Sequence, residues 1–306
     1  MRRLEKRHLE NQQNPLATED APRDTDRSAL DIVARIRPAL QAINPLRTGT
    51  WWQKGYRLLL LAILGVVVYQ MYLFLSVSYY SVFNPSSSAI MREQARVLQA
   101  QITEQSKAQD KKQDKAKVAG ASKSTEPAPI IRYQWVDYEN ISDTVKRAVI
   151  ASEDSNFLQH SGVEWSAIWD AYAYNQRQEE KGKSRRRGGS TISQQLAKNL
   201  FLSHNRSYIR KGQELIITYM LEGLMSKQRI LELYLNIAQF GPNIFGVEQA
   251  SQTYFKKPAS RLSVMEAAKL AALLPNPTRY SQQMKGQFIN SRANTISQRM
   301  RLVTPP

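Results

Sequence analysis

The sequence predicts an all-α protein in which one membrane-crossing helix precedes a helical domain, and three observations support this. The stretch LLLLAILGVVVYQMYLFLSV is about twenty residues of nearly unbroken hydrocarbon, the length that crosses a bilayer. Beyond residue 131, apolar side chains recur at helical spacing, as in Ile230, Leu233, Tyr234 and Ile237. The alternation typical of strands is nearly absent, so we expect at most a hairpin or short extended piece near IIRYQWV.

The membrane helix is predicted over residues 58–83. A cleaved signal peptide is the alternative, but 57 residues precede this stretch, and a signal peptide has a shorter apolar region. Eleven Lys and Arg residues lie before it, whereas the twenty or so residues after Phe83 hold only Arg92 and Arg96. The positive-inside rule therefore places a basic arm, residues 1–57, in the cytoplasm and the main domain outside, at a bacterial inner membrane.

The overall composition limits the chemistry. The chain has 43 Lys and Arg residues against 26 Asp and Glu residues, a formal net charge of +17. This excess predicts an anionic partner, either an acidic lipid surface or a phosphorylated substrate, unless it only aids solubility. Nucleic acid is excluded by the predicted location. The absence of cysteine excludes disulfides and thiolate chemistry, and the scattered His8, His160 and His204 predict no histidine metal site.

The chain outside the membrane divides into a linker and a folded domain. Residues 84–130 are rich in Gln, Lys, Ala and Asp, which predicts a solvated stalk that is at most partly helical. Residues 131–306 carry the helical patterns. Within them, Ser263 and Glu266 form a predicted capping box that opens a helix, and Pro275 is expected to close it.

Two glutamates are candidates for acid–base chemistry. Glu153 and Asp154 follow the apolar helix VKRAVIA, where partial burial of a carboxylate favours a general base or acid. Glu214 lies on a long predicted helix, four residues after Arg210 and therefore on the same face. The alternatives are a solvated helix end for the first pair and simple helix stabilisation for the second.

The stretch GGSTISQQLAKNLF predicts an anion site at a helix start. Gly188 and Gly189 allow a tight turn and a close approach to a ligand, and Ser190 is predicted to cap the helix. Lys198 follows two turns later, one turn beyond Gln194. With Arg206 and Arg210 just after, this array suits a pyrophosphate, although an ordinary capped helix is the alternative.

Five stretches resemble, in order and spacing, the motifs of the family 51 peptidoglycan glycosyltransferases, over about residues 135–280. They are EDSNFLQHSG, GGSTISQQLAKNLF, RKGQELIITYMLE, KQRILELYLNIAQFGPNIFGVEQASQTYF and AAKLAALLPNPTRYS. The resemblance implies a lysozyme-like helical fold with a small membrane-facing lobe. It also implies polymerisation of lipid II into β-1,4-linked glycan with inversion and release of undecaprenyl diphosphate. No Ser precedes a Lys by three residues, so no transpeptidase is expected.

The resemblance also implies residue roles. Glu153 is expected to take the proton from the acceptor 4-hydroxyl, and Glu214 to assist near the leaving diphosphate. The expected diphosphate-binding set is Ser190, Thr191, Gln194, Lys198, Arg206 and Arg210, and the supporting residues of the first motif are Asp154, Phe157 and His160. The sequence calls for no cofactor, although Mg²⁺ or Mn²⁺ could share the diphosphate charge.

One position departs from the family pattern. Asp170 stands where the family often carries Arg or Lys. Either Arg177 or a base from the run Lys181, Lys183, Arg185, Arg186 and Arg187 replaces it, or one phosphate contact is weaker. We interpret the run as a mobile surface loop rather than a fixed clamp.

The expected partners are lipid II, the growing glycan chain and membrane lipid, with penicillin-binding or divisome proteins as further candidates. Two other functions compete. A lysozyme-like hydrolase or lytic transglycosylase needs no diphosphate site, so Lys198 and Arg206 argue against it. A non-catalytic cell-wall scaffold would have no need for the full set of motifs.

Overall fold

The structure is a computed structural model that describes residues 50–113, 131–183, 187–202 and 207–306. Nearly all of the predicted basic arm, the distal stalk at 114–130, His204 and Arg206 lie outside the described residues, as do Arg185 and Arg186. The residues from Met71 onward form one compact unit, which includes the last three turns of the membrane helix.

Helix α1, Trp51–Val82, is the predicted membrane helix. Among the described residues it is the one helix long and apolar enough to cross a membrane. Its 32 residues extend over about 48 Å, against a hydrocarbon thickness of about 30 Å. The helix is therefore longer than a bilayer requires, and its last turns are available to pack on the domain.

Helix α2, Ala89–Gln113, occupies the first half of the predicted stalk. Ser88, Ile90 and Met91 are buried, whereas Val97 and Ile102 are exposed. The solvated part of the stalk thus begins later than predicted, because the apolar pair at 90–91 packs into the domain core and α2 contacts the helix at Ile192–Phe201.

Over the residues that the structure describes, the domain is helical, as predicted, apart from one very small sheet. Strand β1, Arg132–Tyr133, pairs in parallel with β2, Ile244–Phe245, so the expected extended piece is present and its described partner is a remote segment. The helices are α3 Asp143–Glu153, α4 Trp165–Glu180, α5 Ile192–Phe201, α6 Tyr208–Leu224, α7 Lys227–Ile237, α8 Val247–Phe255, α9 Val264–Leu273, α10 Pro277–Tyr280 and α11 Gln287–Arg299.

Two groups of helices position the site. Helices α3, α9 and α11 pack together, and α5 packs against both α6 and α7. Fully buried side chains such as Leu196, Ile217 and Ile230 fill the second group. The predicted capping box of Ser263 and Glu266 is confirmed, and its helix α9 ends at Leu273, just before Pro275. The site described below lies where the end of α3 meets α5.

Helix α4 also carries apolar residues at the helical spacing that the sequence shows beyond residue 131, but this stripe is not part of the core. Trp165, Trp169 and Tyr172 are exposed, with Trp169 at 66%, and Ala171 is the buried position. Trp169 and Tyr172 make an edge-to-face contact 6.3 Å between ring centroids. The periodicity therefore predicted the helix correctly, while the face it marks is an exposed aromatic surface.

Candidate active site

Glu153 is the last residue of α3, and its carboxylate is only partly exposed. The Ser152 hydroxyl donates to Oε1 at 3.1 Å, and the Gln195 amide donates to Oε2 at 3.0 Å. Burial raises the pKa of Glu153, while these two hydrogen bonds and the positive charges of Arg292 and Lys198 lower it; the net direction is upward. A carboxylate with a raised pKa that stays oriented by two donors is suited to general-base work.

Gln195 links Glu153 to the interior of the domain. Its Oε1 accepts a hydrogen bond of 2.9 Å from the hydroxyl of Tyr234, which is fully buried on α7. Burial, with the charges of Glu153 and Asp154, raises the pKa of Tyr234, so the phenol keeps its proton and remains a donor. A chain of hydrogen bonds from α7 through α5 therefore fixes the direction of the Glu153 carboxylate.

Lys198 lies one turn beyond Gln195 on α5 and is half-buried. Desolvation lowers the pKa of Lys198, as do Arg210 and Lys211, while Glu214 and Glu153 raise it. The ammonium group is therefore within electrostatic reach of both candidate glutamates. Glu153 and Lys198 therefore lie close to each other, and we call the region around them the cleft.

Glu214 is buried on α6 and is already paired with two cations. Arg210 Nη1 lies 2.8 Å from Glu214 Oε2, and Lys211 Nζ lies 2.5 Å from Oε1. The predicted Arg210–Glu214 pair is thus confirmed, and Lys211 joins it. Buried carboxylates are stable when paired and hydrogen-bonded, so Glu214 holds two cations beside Lys198.

The start of α5 differs from the prediction in its capping residue. Thr191, not Ser190, is the N-cap, and it forms a capping box in which Thr191 Oγ1 accepts from the Gln194 backbone and Gln194 Oε1 accepts from Thr191 N–H at 3.1 Å. Ser190 precedes the box. Both Thr191 and Gln194 are buried, although Gln194 Nε2 has no hydrogen-bond partner.

The negatively charged group at the start of α5 is a side chain of the protein itself. The Ile192 backbone N–H donates to Asp154 Oδ2 at 2.9 Å, so the buried Asp154 carboxylate occupies the place that the sequence suggested for a phosphate. Gly189 is needed for a close approach, but to protein: a Cβ there would lie 2.9 Å from the Ala167 carbonyl oxygen. Gly188 has open space around it and a negative φ.

His160 and Phe157 support this arrangement. The Gly162 N–H donates to His160 Nδ1 at 3.1 Å, which leaves Nε2 to carry the proton and donate to Asp154 at 2.9 Å. Phe157 is fully buried, and Lys227 Nζ lies 4.6 Å from its ring centroid. These contacts support the segment that follows α3.

Asp154, His160 and Glu164 are the one group of candidate metal ligands that the described residues bring together. Asp154 already accepts hydrogen bonds from His160 and Ile192, and Glu164 accepts one from Asn156. The group is therefore satisfied by protein donors, and we assign it no metal. A cation that shares the diphosphate charge near Lys198 stays a prediction.

Three residues of the site were missed from the sequence: Gln195, Tyr234 and Arg292. Gln195 directly follows a glutamine to which the diphosphate role was given, and Tyr234 was assigned to the helix core. Arg292, on α11, lies beyond the last motif, and its Nε is buried without a hydrogen-bond partner. Asp170 is exposed on α4, and of the neighbouring basic run the structure describes Lys181, Lys183 and Arg187.

Comparison with known proteins identifies the family. The family model described as Transglycosylase matches residues 125–301, more than half of the chain. The chain belongs to the transglycosylase family. The biosynthetic peptidoglycan transglycosylase of Bordetella pertussis is 46% identical over 256 residues, which cover 83% of this chain and 96% of that protein.

Transglycosylases from other bacteria are similar to this chain at nearly the same level of identity. The proteins of that name from Herminiimonas arsenicoxydans and Burkholderia pseudomallei are 45% and 44% identical, over 79% and 76% of this chain. The alignments cover 93% and 79% of those proteins. The single transglycosylase domain, with no indication of a transpeptidase, agrees with the sequence prediction.

The structural role of Asp154 in this transglycosylase is testable. Asp154→Ala removes the acceptor for Ile192 N–H and for His160, so we expect the free energy of unfolding to fall by about 1–3 kcal/mol. Chemical denaturation of the purified protein measures it. As a control, Asp170→Ala changes an exposed carboxylate and should alter stability by less than about 0.5 kcal/mol. Equal stability of the two variants would contradict the role given to Asp154.

The orientation of Glu153 by Gln195 predicts a change in pH dependence. Gln195→Met removes a hydrogen bond that lowers the pKa of Glu153, so this pKa rises further. A general base acts when deprotonated, and the acidic limb of kcat/KM should therefore move to higher pH. Gln249→Met, on α8, serves as the matched control. An acidic limb at the same pH in all three proteins would show that Gln195 does not tune the base.

Proposed function

We propose that this transglycosylase polymerises lipid II into β-1,4-linked glycan strands, and that Glu153 is its general base. The observation that carries the proposal is a proximity of charged side chains: a carboxylate with a raised pKa lies within electrostatic reach of Lys198, which in turn interacts with the cations Arg210 and Lys211. A base and a cation cluster in one cleft match a reaction that activates a hydroxyl and expels a diphosphate.

The proposed reaction is a single displacement. Glu153 takes the proton of the acceptor 4-hydroxyl as that oxygen bonds to C1 of the donor sugar. The bond between C1 and the diphosphate oxygen breaks, and its electron pair leaves with undecaprenyl diphosphate. Attack on the face opposite an α-linked leaving group gives the β product, so configuration inverts.

The leaving diphosphate gains negative charge as the bond breaks. In this proposal Lys198 stabilises that charge as a mobile point charge, and Arg210 stabilises it as a planar fork. Glu214 is not needed as a proton donor in this scheme, because the diphosphate leaves as an anion. Its two ion pairs instead hold Arg210 and Lys211 in place. Arg206 is a further candidate for the same cluster.

The membrane supplies the substrate in this proposal. Besides the aromatic face of α4, helix α6 exposes large apolar side chains, of which Tyr208 is 98% and Ile209 87% exposed. We assign both surfaces to the membrane-facing lobe that the family resemblance implies. The orientation, with a cytoplasmic amino terminus and a periplasmic domain at the inner membrane, follows from the basic residues before α1.

Polymerisation of labelled lipid II by the detergent-solubilised protein tests the proposal. We expect labelled polymer that lysozyme degrades, together with free undecaprenyl diphosphate. A hydrolase or lytic transglycosylase would instead shorten preformed glycan and leave lipid II intact. A scaffold would do neither. Either of these results would overturn the proposal. Binding to penicillin-binding or divisome proteins is a separate proposal, which co-purification from membranes would test.

A further inference from the structure

The carboxyl end of the membrane helix α1 is completed by a residue from another helix. Helix ends leave backbone carbonyls without intrahelical donors and favour a cation, but α1 has no basic residue in its last turn. Arg229, in the first turn of α7, provides both the hydrogen-bond donors and the positive charge. Its Nη2 donates to the carbonyl oxygens of Tyr80 at 3.0 Å and Phe83 at 2.9 Å, and its Nε donates to Tyr80 at 3.1 Å.

The guanidinium of Arg229 is itself held firmly. Its Nη1 lies 2.6 Å from Glu232 Oε2, one turn later on α7, and the Trp135 ring lies 5.6 Å from its central carbon. Glu232 Oε1 also accepts the backbone N–H of Tyr138 at 3.0 Å. The Arg229 side chain is only 14% exposed. A buried fork that binds two carbonyls and one carboxylate has one geometry, which a lysine cannot reproduce.

The turns of α1 that precede this contact belong to the domain core. Leu73 and Val77 are buried, and the Tyr80 ring lies 5.9 Å from that of Phe201, between centroids. Phe201 is the last residue of α5, the helix that carries Gln195 and Lys198. The end of the membrane helix therefore contacts α5 and α7, the same two helices that orient Glu153.

From these contacts we propose that Arg229 is a positioning residue that holds the catalytic cleft in one orientation relative to the last turns of the membrane helix, residues 71–82. The inference rests on the proposed function, because only a substrate anchored in the bilayer requires the cleft at a fixed height. A donor that is free in solution can approach a cleft in any orientation. Loss of Arg229 should therefore impair the reaction of a membrane-anchored donor selectively.

The first test compares two donors with the full-length protein in lipid vesicles. For Arg229→Ala we expect kcat/KM to fall at least about tenfold with undecaprenyl lipid II in the bilayer. With an analogue that carries a short, water-soluble isoprenoid, we expect a change within about twofold. Arg229→Lys should recover part of the loss, since the charge remains and the fork is lost. Arg261→Ala, an exposed arginine near α8, is the control and should match the unmodified protein.

Equal losses with both donors would overturn the inference, since they would indicate general damage to the fold. Undiminished activity with bilayer lipid II would overturn it as well. Failure of the unmodified protein to polymerise bilayer lipid II would instead reject the proposed function.

A second test needs no activity. Because the chain has no cysteine, two can be introduced for spin labels, in place of the exposed Tyr72 on α1 and Leu302 near the chain end. We expect one narrow distance distribution between the labels in the otherwise unmodified protein and a broad one after Arg229→Ala. An equally narrow distribution in both would overturn the inference, even if the short donor is not a substrate of the unmodified protein.

Discussion

Glu153→Gln should reduce polymer formation from lipid II by about 10²–10⁴-fold, the usual contribution of a general base. Gln keeps the size of the side chain and an oxygen that can accept from Ser152 and Gln195, but it cannot take a proton at neutral pH. Substrate binding should change little, because the lost interaction is made in the transition state. Initial rates give kcat and KM, and binding of lipid II to the inactive variant is measured separately.

Glu164→Gln is the matched control for this variant. Glu164 is a partly exposed carboxylate just before α4 that hydrogen-bonds Asn156, outside the cleft. We expect its activity to stay within about threefold of the unmodified protein. Polymer formation by Glu153→Gln at the normal rate would reject Glu153 as the base, and equal losses in both variants would reject a special role for it.

Lys198→Ala should lower both kcat and substrate affinity, with kcat/KM reduced by about 10²–10³-fold. In the proposed reaction Lys198 binds a diphosphate that is charged in the ground state and gains charge in the transition state, so its loss should affect both. Burial is the main cause that lowers the pKa of Lys198, and the charges of Arg210 and Lys211 lower it further. The charges of Glu214 and Glu153 raise it, but the net direction is downward. The basic limb of the pH profile should therefore lie below the usual range for lysine.

Lys198→Arg separates charge from shape in this experiment. The guanidinium stays protonated at all accessible pH values, so a variant that keeps measurable activity should lose the basic limb. Lys269→Ala, on α9, is the control for loss of a lysine outside the cleft. An unchanged rate for Lys198→Ala would remove this residue from the diphosphate site.

The fold was predictable because each long element carries its own local signal. The apolar run of α1, the capping box at Ser263 and the spacing along α7 are all readable without tertiary contacts. The sequence does not show which elements pack against or pair with one another. The pairing of β1 with β2 joins residues over a hundred positions apart, and the stripe on α4 gives no sign of whether another element covers it.

The candidate site shows the same division between local and tertiary information. Glu153, Lys198 and the pair of Arg210 with Glu214 lie in motifs that the family resemblance identifies, and the structure brings them together. Their supporting contacts depend on packing. Spacing along α5 cannot show that Gln195 turns to Glu153 while Gln194 turns inward. The spacing also cannot show that Asp154 accepts a hydrogen bond at the start of α5, where the sequence predicted a phosphate.

Two consecutive carboxylates at the end of α3 are both hydrogen-bonded to α5, one through a side chain and one through the backbone. Glu153 reaches α5 through the Gln195 side chain, and Asp154 reaches it through the Ile192 amide. Because the two residues are adjacent, we expect that a displacement of Glu153, the proposed base, from α5 also disturbs the buried contact of Asp154. Heat inactivation of this enzyme should consequently follow global denaturation, with no earlier stage in which an intact domain has lost its active base.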